Sequence, residues 1–528
     1  MFEVIKKERT ISYEDEIIEN CWICKDFKQL NKENNYFKDT RISQNILISG
    51  IDKNLLNKLN DSIDRSNEMI CITSYIFSEP DIKRHLLKAS KRGIRVYMLT
   101  ASNKHLKERP DEDDDFNKRM YIEMDNLFNE LQGKIKIRTS ENFHTKFLLI
   151  DPLNPVTRKG FLLTSNFDTK GLKGRIINDR LKVNPEICIR LSNQEIIDFF
   201  NQFCYGFWIE STGESKIDGF FPIKSQLNKD FKLKNVIFNS REYHHLDKAI
   251  IDLITNHPGK LIICTYGIST DNIIFKKIID ELKSGREVII LTRPRDKNMP
   301  ALLELIEKGA IVYGHDDIHA KVILIENHRD IKGILMTANI ENISFSTSFE
   351  SAKILNRDEA QAILKILENW IKNFPLVLKN TCSKKDIKGE IRIWNSYKSE
   401  LEKKEIIEVF TVEIETDNLS KSIENYYDSK IPERNFKKPN NDKKIYKKIK
   451  YKYKIVPPTL PIKAKKFEIE DKSEVNKNLK NNNLPIYKLK DKFYIVIKDP
   501  SQIENAKRLA KKYANSEIVT LKKYISNL

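Results

Sequence analysis

The apolar positions fall into short runs separated by amphipathic stretches, and the order of runs and stretches occurs twice. MICITSYIFS (Met69–Ser78) begins as a nearly continuous apolar run, the pattern of a strand buried on both faces. DIKRHLLKASKRG follows with helical spacing and a terminal Gly, then the strand-like IRVYMLT (Ile94–Thr100). The same order returns as KLIICTYGIS (Lys260–Ser269), IIFKKIIDELKSG and EVIILT (Glu287–Thr292). Strand, helix and strand with Gly at the helix end predict a parallel βαβ unit in each half. Further helices are predicted near Phe116–Leu131 and Ala301–Lys308, each followed by a short strand, KIKIRT and AIVYG. The pattern predicts an α/β chain of two related halves, each a mixed sheet flanked by helices.

After those strands come ENFHTKFLLID and DDIHAKVILIE. Each carries a His, one residue, a Lys, and a carboxylate five positions beyond the Lys. The residues are His144, Lys146 and Asp151 in the first half, and His319, Lys321 and Glu326 in the second. Both His and Lys recur at a separation of 175 residues. An apolar strand ending in Asn follows each set, GFLLTSN (Asn166) and GILMTAN (Asn339). Side chains alternate along a strand, so His and Lys two apart are expected on one face.

That set suits phosphoryl chemistry. A neutral imidazole attacks phosphorus, a Lys offsets the charge of the non-bridging oxygens, and an Asn amide donates to them. One set is half a site. Two facing sets supply a nucleophile, a general acid, two Lys and two Asn around one phosphate, with no call for a metal ion or other cofactor. A single His-x-Lys would more often be a polar strand edge. Two copies in one structural context are not explained that way.

The paired motifs resemble those of the phospholipase D superfamily, in the form that carries both catalytic halves in one chain, over roughly residues 45–372. The family pattern is H-x-K-x4-D followed by G-S-x-N. The first half matches the first element in full, and the second has Glu326 for the Asp. The second element appears as Leu163-Thr164-Ser165-Asn166 and Met336-Thr337-Ala338-Asn339, so Gly is absent while Thr keeps a hydroxyl. The resemblance implies two pseudo-twofold-related lobes. It implies catalytic roles for His144, Lys146, Asn166, His319, Lys321 and Asn339, with His144 as nucleophile and His319 as general acid. It also implies substrate contacts for Thr164 and Thr337, and a downstream Glu on the other nitrogen of each catalytic His. By position those are Glu186 and Glu350. Glu350 lies 11 residues after Asn339 and Glu186 lies 20 after Asn166, behind an inserted DTKGLKGRIINDRLKV. Such a carboxylate would fix the imidazole tautomer and stabilise the imidazolium. Asp151 and Glu326 are expected to be structural.

The chain has 528 residues, a length that predicts three or four domains at roughly 150 residues each. With 40% hydrophobic residues it is not a wholly disordered chain. Mean hydropathy is −0.51 and no apolar run approaches 18 residues, so no membrane span is expected. The first twenty residues lack the apolar centre of a secretion signal, and seven Cys show no regular spacing. Both point to the cytoplasm. Cys21 and Cys24 form CWIC without a second pair, and PDEDDD (Pro110–Asp115) reads as a solvated helix start, so no metal site is expected.

The net charge of +18 is unevenly placed. Residues 431–528 hold 26 Lys and Arg against 10 Asp and Glu. At the centre of this region Lys and Tyr alternate in KKIYKKIKYKYKIV, where charge can meet phosphate and rings can stack on bases. The expected organisation is an N-terminal extension (1–44), two lobes (45–210 and 211–375), a small β-rich domain (376–420), a basic arm (421–483) and a small basic ββαβ unit (484–528). The expected activity is a metal-independent phosphodiesterase, foremost a DNA nuclease with nucleic acid as its partner. By family resemblance, bacterial anti-phage defence beside a helicase or ATPase is one setting. The alternatives are a phospholipid hydrolase or transphosphatidylase at a membrane surface, and a non-catalytic DNA-binding protein with a vestigial site.

Overall fold

The computed structural model describes residues 17–24, 45–50, 52–101, 122, 125–126, 128–140, 143–177, 180–223, 237–328, 330–383, 390–411, 465–466, 486–489, 492–497 and 520–526. The acidic run at 110–115, most of the basic arm and the helix predicted at 501–514 lie outside them. So does the N-terminal extension apart from strand β1 (Ile17–Cys24). The chain divides into two compact units. One is Glu19–Thr381 with Trp394–Leu401, and the other is Met1–Ile18, Cys382–Ile393 and Glu402–Leu528.

The first unit holds two mixed sheets of one topology. The first lobe contributes β2 (Ile46–Ile48), β3 (Met69–Ser74), β4 (Arg95–Ala101), β5 (Lys136–Ser140), β6 (Phe147–Ile150) and β7 (Lys159–Leu163). A separate hairpin, β8 (Arg175–Ile177) and β9 (Arg180–Lys182), precedes β10 (Ile187–Arg190), β11 (Gly213–Lys216) and β12 (Gly219–Pro222). Their order is β12-β11-β5-β4-β3-β6-β7-β10-β2. The second lobe contributes β13 (Phe238–Asn239), β14 (Lys260–Thr265), β15 (Val288–Thr292), β16 (Ile311–Gly314), β17 (Val322–Glu326), β18 (Ile331–Met336), β19 (Glu350–Leu355) and β20 (Leu376–Ser383). Their order is β13-β19-β18-β17-β14-β15-β16-β20.

The parallel pairs β3–β4 and β14–β15 are the two βαβ units predicted from the repeat; β5 and β16 extend them in parallel, and the other strands add antiparallel. All six residues of β3 and all five of β15 are buried, which accounts for their unbroken apolar runs. Helices Pro80–Lys91 and Ile273–Lys283 each end ahead of a Gly at φ +85°, Gly93 and Gly285. This left-handed backbone turns the chain back into the next parallel strand. Hairpin β11–β12 joins the first sheet through β11–β5, beyond the lobe boundary drawn at residue 210 in the sequence.

Three apolar cores hold the sheets. One lies on the outer face of the first sheet, with Leu55, Leu59, Ile82 and Leu86 against Ile70 and Leu148. A second covers the outer face of the second sheet, with Ile250, Ile278 and Leu302 against Ile263 and Ile290. The third is shared between the lobes. It gathers Phe147 and Leu162 with Val322 and Leu335, and fills the gap with Phe199 and Ile363. The helices supplying those two residues, Asn193–Tyr205 and Arg357–Asn373, start at capping boxes, Ser192 with Glu195 and Asn356 with Glu359. Lys353 of the second lobe pairs with Glu195 of the first and with Glu359, and the Ser351 hydroxyl donates to Gln202 at 2.7 Å. The lobes are therefore held by apolar packing and by buried polar contacts.

In the other unit, strands Ile486–Leu489 and Lys492–Ile497 form the antiparallel hairpin predicted near the C-terminus, and Thr520–Ser526 pairs with the strand Glu400–Thr411. Among the described residues no helix is long and apolar enough to cross a membrane. Cys21 and Cys24 lie on β1, Cys21 buried and Cys24 partly so. The Trp22 between them packs its ring over Gly314 and donates Nε1–H to Met299 sulfur at 3.2 Å.

Candidate active site

His144 and His319 sit in extended segments just ahead of β6 and β17, not on the strands themselves as the alternation had suggested. Their backbone bonds run to the opposite lobe. The His144 N–H donates to the Phe349 carbonyl at 3.0 Å, while the His319 and Ala320 N–H groups donate to the Pro185 carbonyl at 3.4 and 3.1 Å. Phe349 precedes Glu350, and Pro185 precedes Glu186. This register fixes which carboxylate meets which imidazole. His144 Nδ1 lies 2.8 Å from Glu350 Oε1, and His319 Nδ1 lies 2.6 Å from Glu186 Oε1. Each lobe's carboxylate serves the other lobe's histidine. The stacked rings of Phe143 and Phe349, 5.1 Å apart, pack beside the first pair.

Both carboxylates are almost wholly buried, and the imidazoles keep 12% and 15% of their side-chain surface. The imidazoles thus keep some exposed surface, while the carboxylates that orient them keep almost none. Lys146 and Lys321 are fully buried, each donating to the main-chain carbonyl of the histidine two residues before it. The Thr164 hydroxyl donates to Glu186 at 2.6 Å and accepts the Ile187 N–H at 3.0 Å. Thr337 repeats this with Glu350 and Ser351 at the same distances. These hydroxyls are committed to the carboxylates. Thr164 and Thr337, expected from the resemblance to contact substrate, hold Glu186 and Glu350 by these bonds.

Asn166 and Asn339 are buried at the ends of β7 and β18, at the same edge of the sheets as the His-x-Lys segments. The Asn166 side-chain oxygen accepts the Ile76 N–H at 3.5 Å. The Asn339 amide donates to Glu341 at 3.2 Å. Asp151 and Glu326 stand away from the centre. Asp151 accepts the N–H groups of Asn67, Glu68 and Met69 at 2.7–2.9 Å, and Glu326 pairs with Lys260 at 2.7 Å. The inserted segment ahead of Glu186 contains hairpin β8–β9, and its Lys170 pairs at 2.7 Å with Asp317, two residues before His319.

Burial dominates the electrostatics, and the two histidine pairs respond differently. Desolvation lowers His144 to about 4 despite the opposing pull of Glu350. Desolvation and then the charges of Lys321 and Lys146 hold His319 well below its usual range. Burial alone would raise Glu350, but His144, Lys146 and the Thr337 hydroxyl together bring it below the ordinary carboxylate value. Burial raises Glu186 to about 7 against the opposing charge of Lys321. Lys321 itself falls to about 8, again through burial. One pair therefore holds a firmly ionised carboxylate, and the other holds a carboxyl that keeps its proton near neutrality.

Two tyrosines escaped the sequence reading. Tyr75 and Tyr266 follow β3 and β14 and set their rings edge-on to His144 and His319, at 5.2 and 5.0 Å between centroids. The signal was present in TSY and CTY at matching points of the repeat. Arg293 and Arg295 lie over the Tyr266 ring, their guanidinium carbons 5.4 and 4.3 Å from its centroid.

Residues 59–208 match a family model described as cardiolipin synthase, PLD-like domain. The chain thus carries a domain of the phospholipase D superfamily, the family to which its paired motifs point. No curated protein matches the sequence. Among solved structures it is similar to phosphatidylserine synthase of Haemophilus influenzae Rd KW20, with 12% identity over 65% of this chain and 88% of that one and a TM-score of 0.45. It is also similar to the phospholipase D family member Nuc of Salmonella typhimurium, with 18% identity over 32% and 97% of the two chains and a TM-score of 0.24. NucT of Helicobacter pylori is matched at 15% identity over 30% and 91%, with a TM-score of 0.22.

Proposed function

We propose that the chain is a phosphodiesterase that hydrolyses nucleic acid, DNA foremost, through a phosphohistidine and without a metal ion. The observation that carries this reading is the crossed pair of His–Glu contacts beside two buried lysines. An ionised Glu350 accepts Nδ1–H of His144 and leaves its Nε2 lone pair free to attack phosphorus. Glu186, protonated near neutrality, donates to His319 Nδ1 and so leaves a proton on its Nε2. That proton goes to the leaving oxygen as the P–O bond breaks and the P–N bond forms, while the Glu186 proton passes to His319 Nδ1 and keeps the ring neutral. His319 Nε2 then takes a proton from water and returns its Nδ1 proton to Glu186, and the water oxygen attacks phosphorus and displaces His144. Lys146 and Lys321 supply positive charge to the non-bridging oxygens.

The excess of 16 positive charges on residues 431–528 favours a polyanionic substrate. The test is direct. Purified protein is offered single- and double-stranded DNA, RNA and phospholipid vesicles, all in excess EDTA. The expected result is cleavage of DNA. Hydrolysis of lipid alone would make the protein a phospholipid hydrolase, and turnover of nothing would leave a nucleic-acid-binding protein with a vestigial site.

A further inference from the structure

The two lobes match in register around the site, and they part company at one strand end. Ser74 pairs with Thr100 across β3–β4, and Thr265 pairs with Thr292 across β14–β15. Tyr75 and Tyr266 follow the first member of each pair. The residues after the second member are Ala101 and Ser102-Asn103 in the first lobe, but Arg293 and Pro294-Arg295 in the second. Among the described residues, the second lobe therefore adds guanidinium groups at this strand end, where the first lobe has Ala101.

The two arginines differ in their partners. Arg295 faces the Glu341 carboxylate at 3.7 Å, and that carboxylate also accepts from Asn339. No carboxylate of the described residues lies within 4.0 Å of the Arg293 nitrogens. Arg293 is half-buried and rests on the Tyr266 ring, which in turn packs edge-on to the His319 imidazole. Its charge reaches both His319 and His315. A stacked guanidinium loses little side-chain freedom on binding, and its planar fork matches two oxygens of a phosphate. In the proposed mechanism Lys146 and Lys321 serve the scissile phosphate, so a further cation on the ring beside His319 suits a second anion.

We propose that Arg293, seated on Tyr266, forms a subsite for the phosphate next to the scissile one in a polynucleotide. This rests on the nuclease reading above and gives it a polarity: the flanking phosphate binds on the His319 side.

The test uses the full chain and p-nitrophenyl phosphodiesters of thymidine, attached at either hydroxyl, each with and without a phosphate on the other. The readout is the ratio of kcat/KM with the second phosphate to kcat/KM without it. In the wild type the ratio is expected to be about tenfold or more in one attachment, as for a charge-assisted contact. It should fall to near one in Arg293→Gln and be partly kept in Arg293→Lys. A wild-type ratio near one in both attachments overturns the proposal, as does a ratio that survives in Arg293→Gln. If Arg293→Gln does not fold, Arg293→Lys decides: a ratio equal to the wild type's overturns the fork contact. The same ratio in Kd is measured on His144→Ala protein. If the wild type hydrolyses no nucleotide ester, the nuclease reading fails, and the Kd ratio still decides whether Arg293 holds a second phosphate.

Discussion

His144 and Glu350 stand 206 residues apart in sequence and 2.8 Å apart in space, one in each lobe. The counterpart contact, Glu186 to His319, has the same geometry but not the same charge. Glu350 is held ionised and Glu186 is raised to about 7. Replacing each by Gln separates their roles. An amide at position 186 can still orient His319 but cannot pass it a proton, so with a nitrophenyl diester, whose leaving group needs none, Glu186→Gln should cost less than about tenfold in kcat. At position 350 the lost negative charge no longer stabilises the cationic His144 adduct, and Glu350→Gln should cost about 10²–10⁴-fold. Steady-state kinetics on one diester compare the two. Equal losses would show that the pairs do not divide the work.

The pH profile of kcat/KM should be a bell. His144 becomes protonated below about 4 and loses its attacking lone pair, which sets the acid limb. Glu186 loses its proton above about 7, and the His319 pair is then one proton short, which sets the alkaline limb. In Glu186→Gln that limb should be replaced by one set by Lys321, which falls below its wild-type value of about 8 because the Glu186 charge no longer raises it. A profile flat across neutral pH in both proteins would exclude this assignment.

The covalent adduct distinguishes the histidines. With a nitrophenyl diester the leaving group needs no proton, so His319→Ala should still be attacked but should release product slowly. Phosphorus should then accumulate on His144 as an acid-labile, alkali-stable adduct. His144→Ala should form none. Mass spectrometry of the trapped peptide decides, and an adduct on His319 would reverse the roles.

The basic region should govern binding through salt. Replacing the five lysines Lys443, Lys444, Lys447, Lys448 and Lys450 by Gln should weaken DNA binding and flatten its dependence on salt. Each phosphate deprived of its lysine reduces the log–log slope by about 0.9 on duplex DNA. Fluorescence anisotropy over a salt series measures this, and an unchanged slope would give those lysines another purpose.

The repeat made much of the site legible. The His-x-Lys pairs and the strand order follow from local pattern, because apolar periodicity and motif spacing survive in one dimension. The crossing of Glu186 and Glu350 does not, since it depends on main-chain bonds between lobes, from His144 to Phe349 and from Ala320 to Pro185. The bonds of Thr164 and Thr337 to the glutamates were hidden for a related reason. A hydroxyl near a phosphate site suggests a substrate contact until the buried carboxylate that takes its proton is in view. Arg293 was overlooked because it breaks the repeat, and a search for matching halves passes over what only one half contains.

The exchange of carboxylates also bears on how two such halves can diverge. A duplicated lobe is ordinarily released to drift while its twin keeps the work. Here neither copy is released, because a lesion at Glu186 is felt at His319 and a lesion at Glu350 is felt at His144. Each half is hostage to the other, so innovation is confined to positions outside the exchange, such as the strand end that carries Ala101 in one lobe and Arg293 in the other.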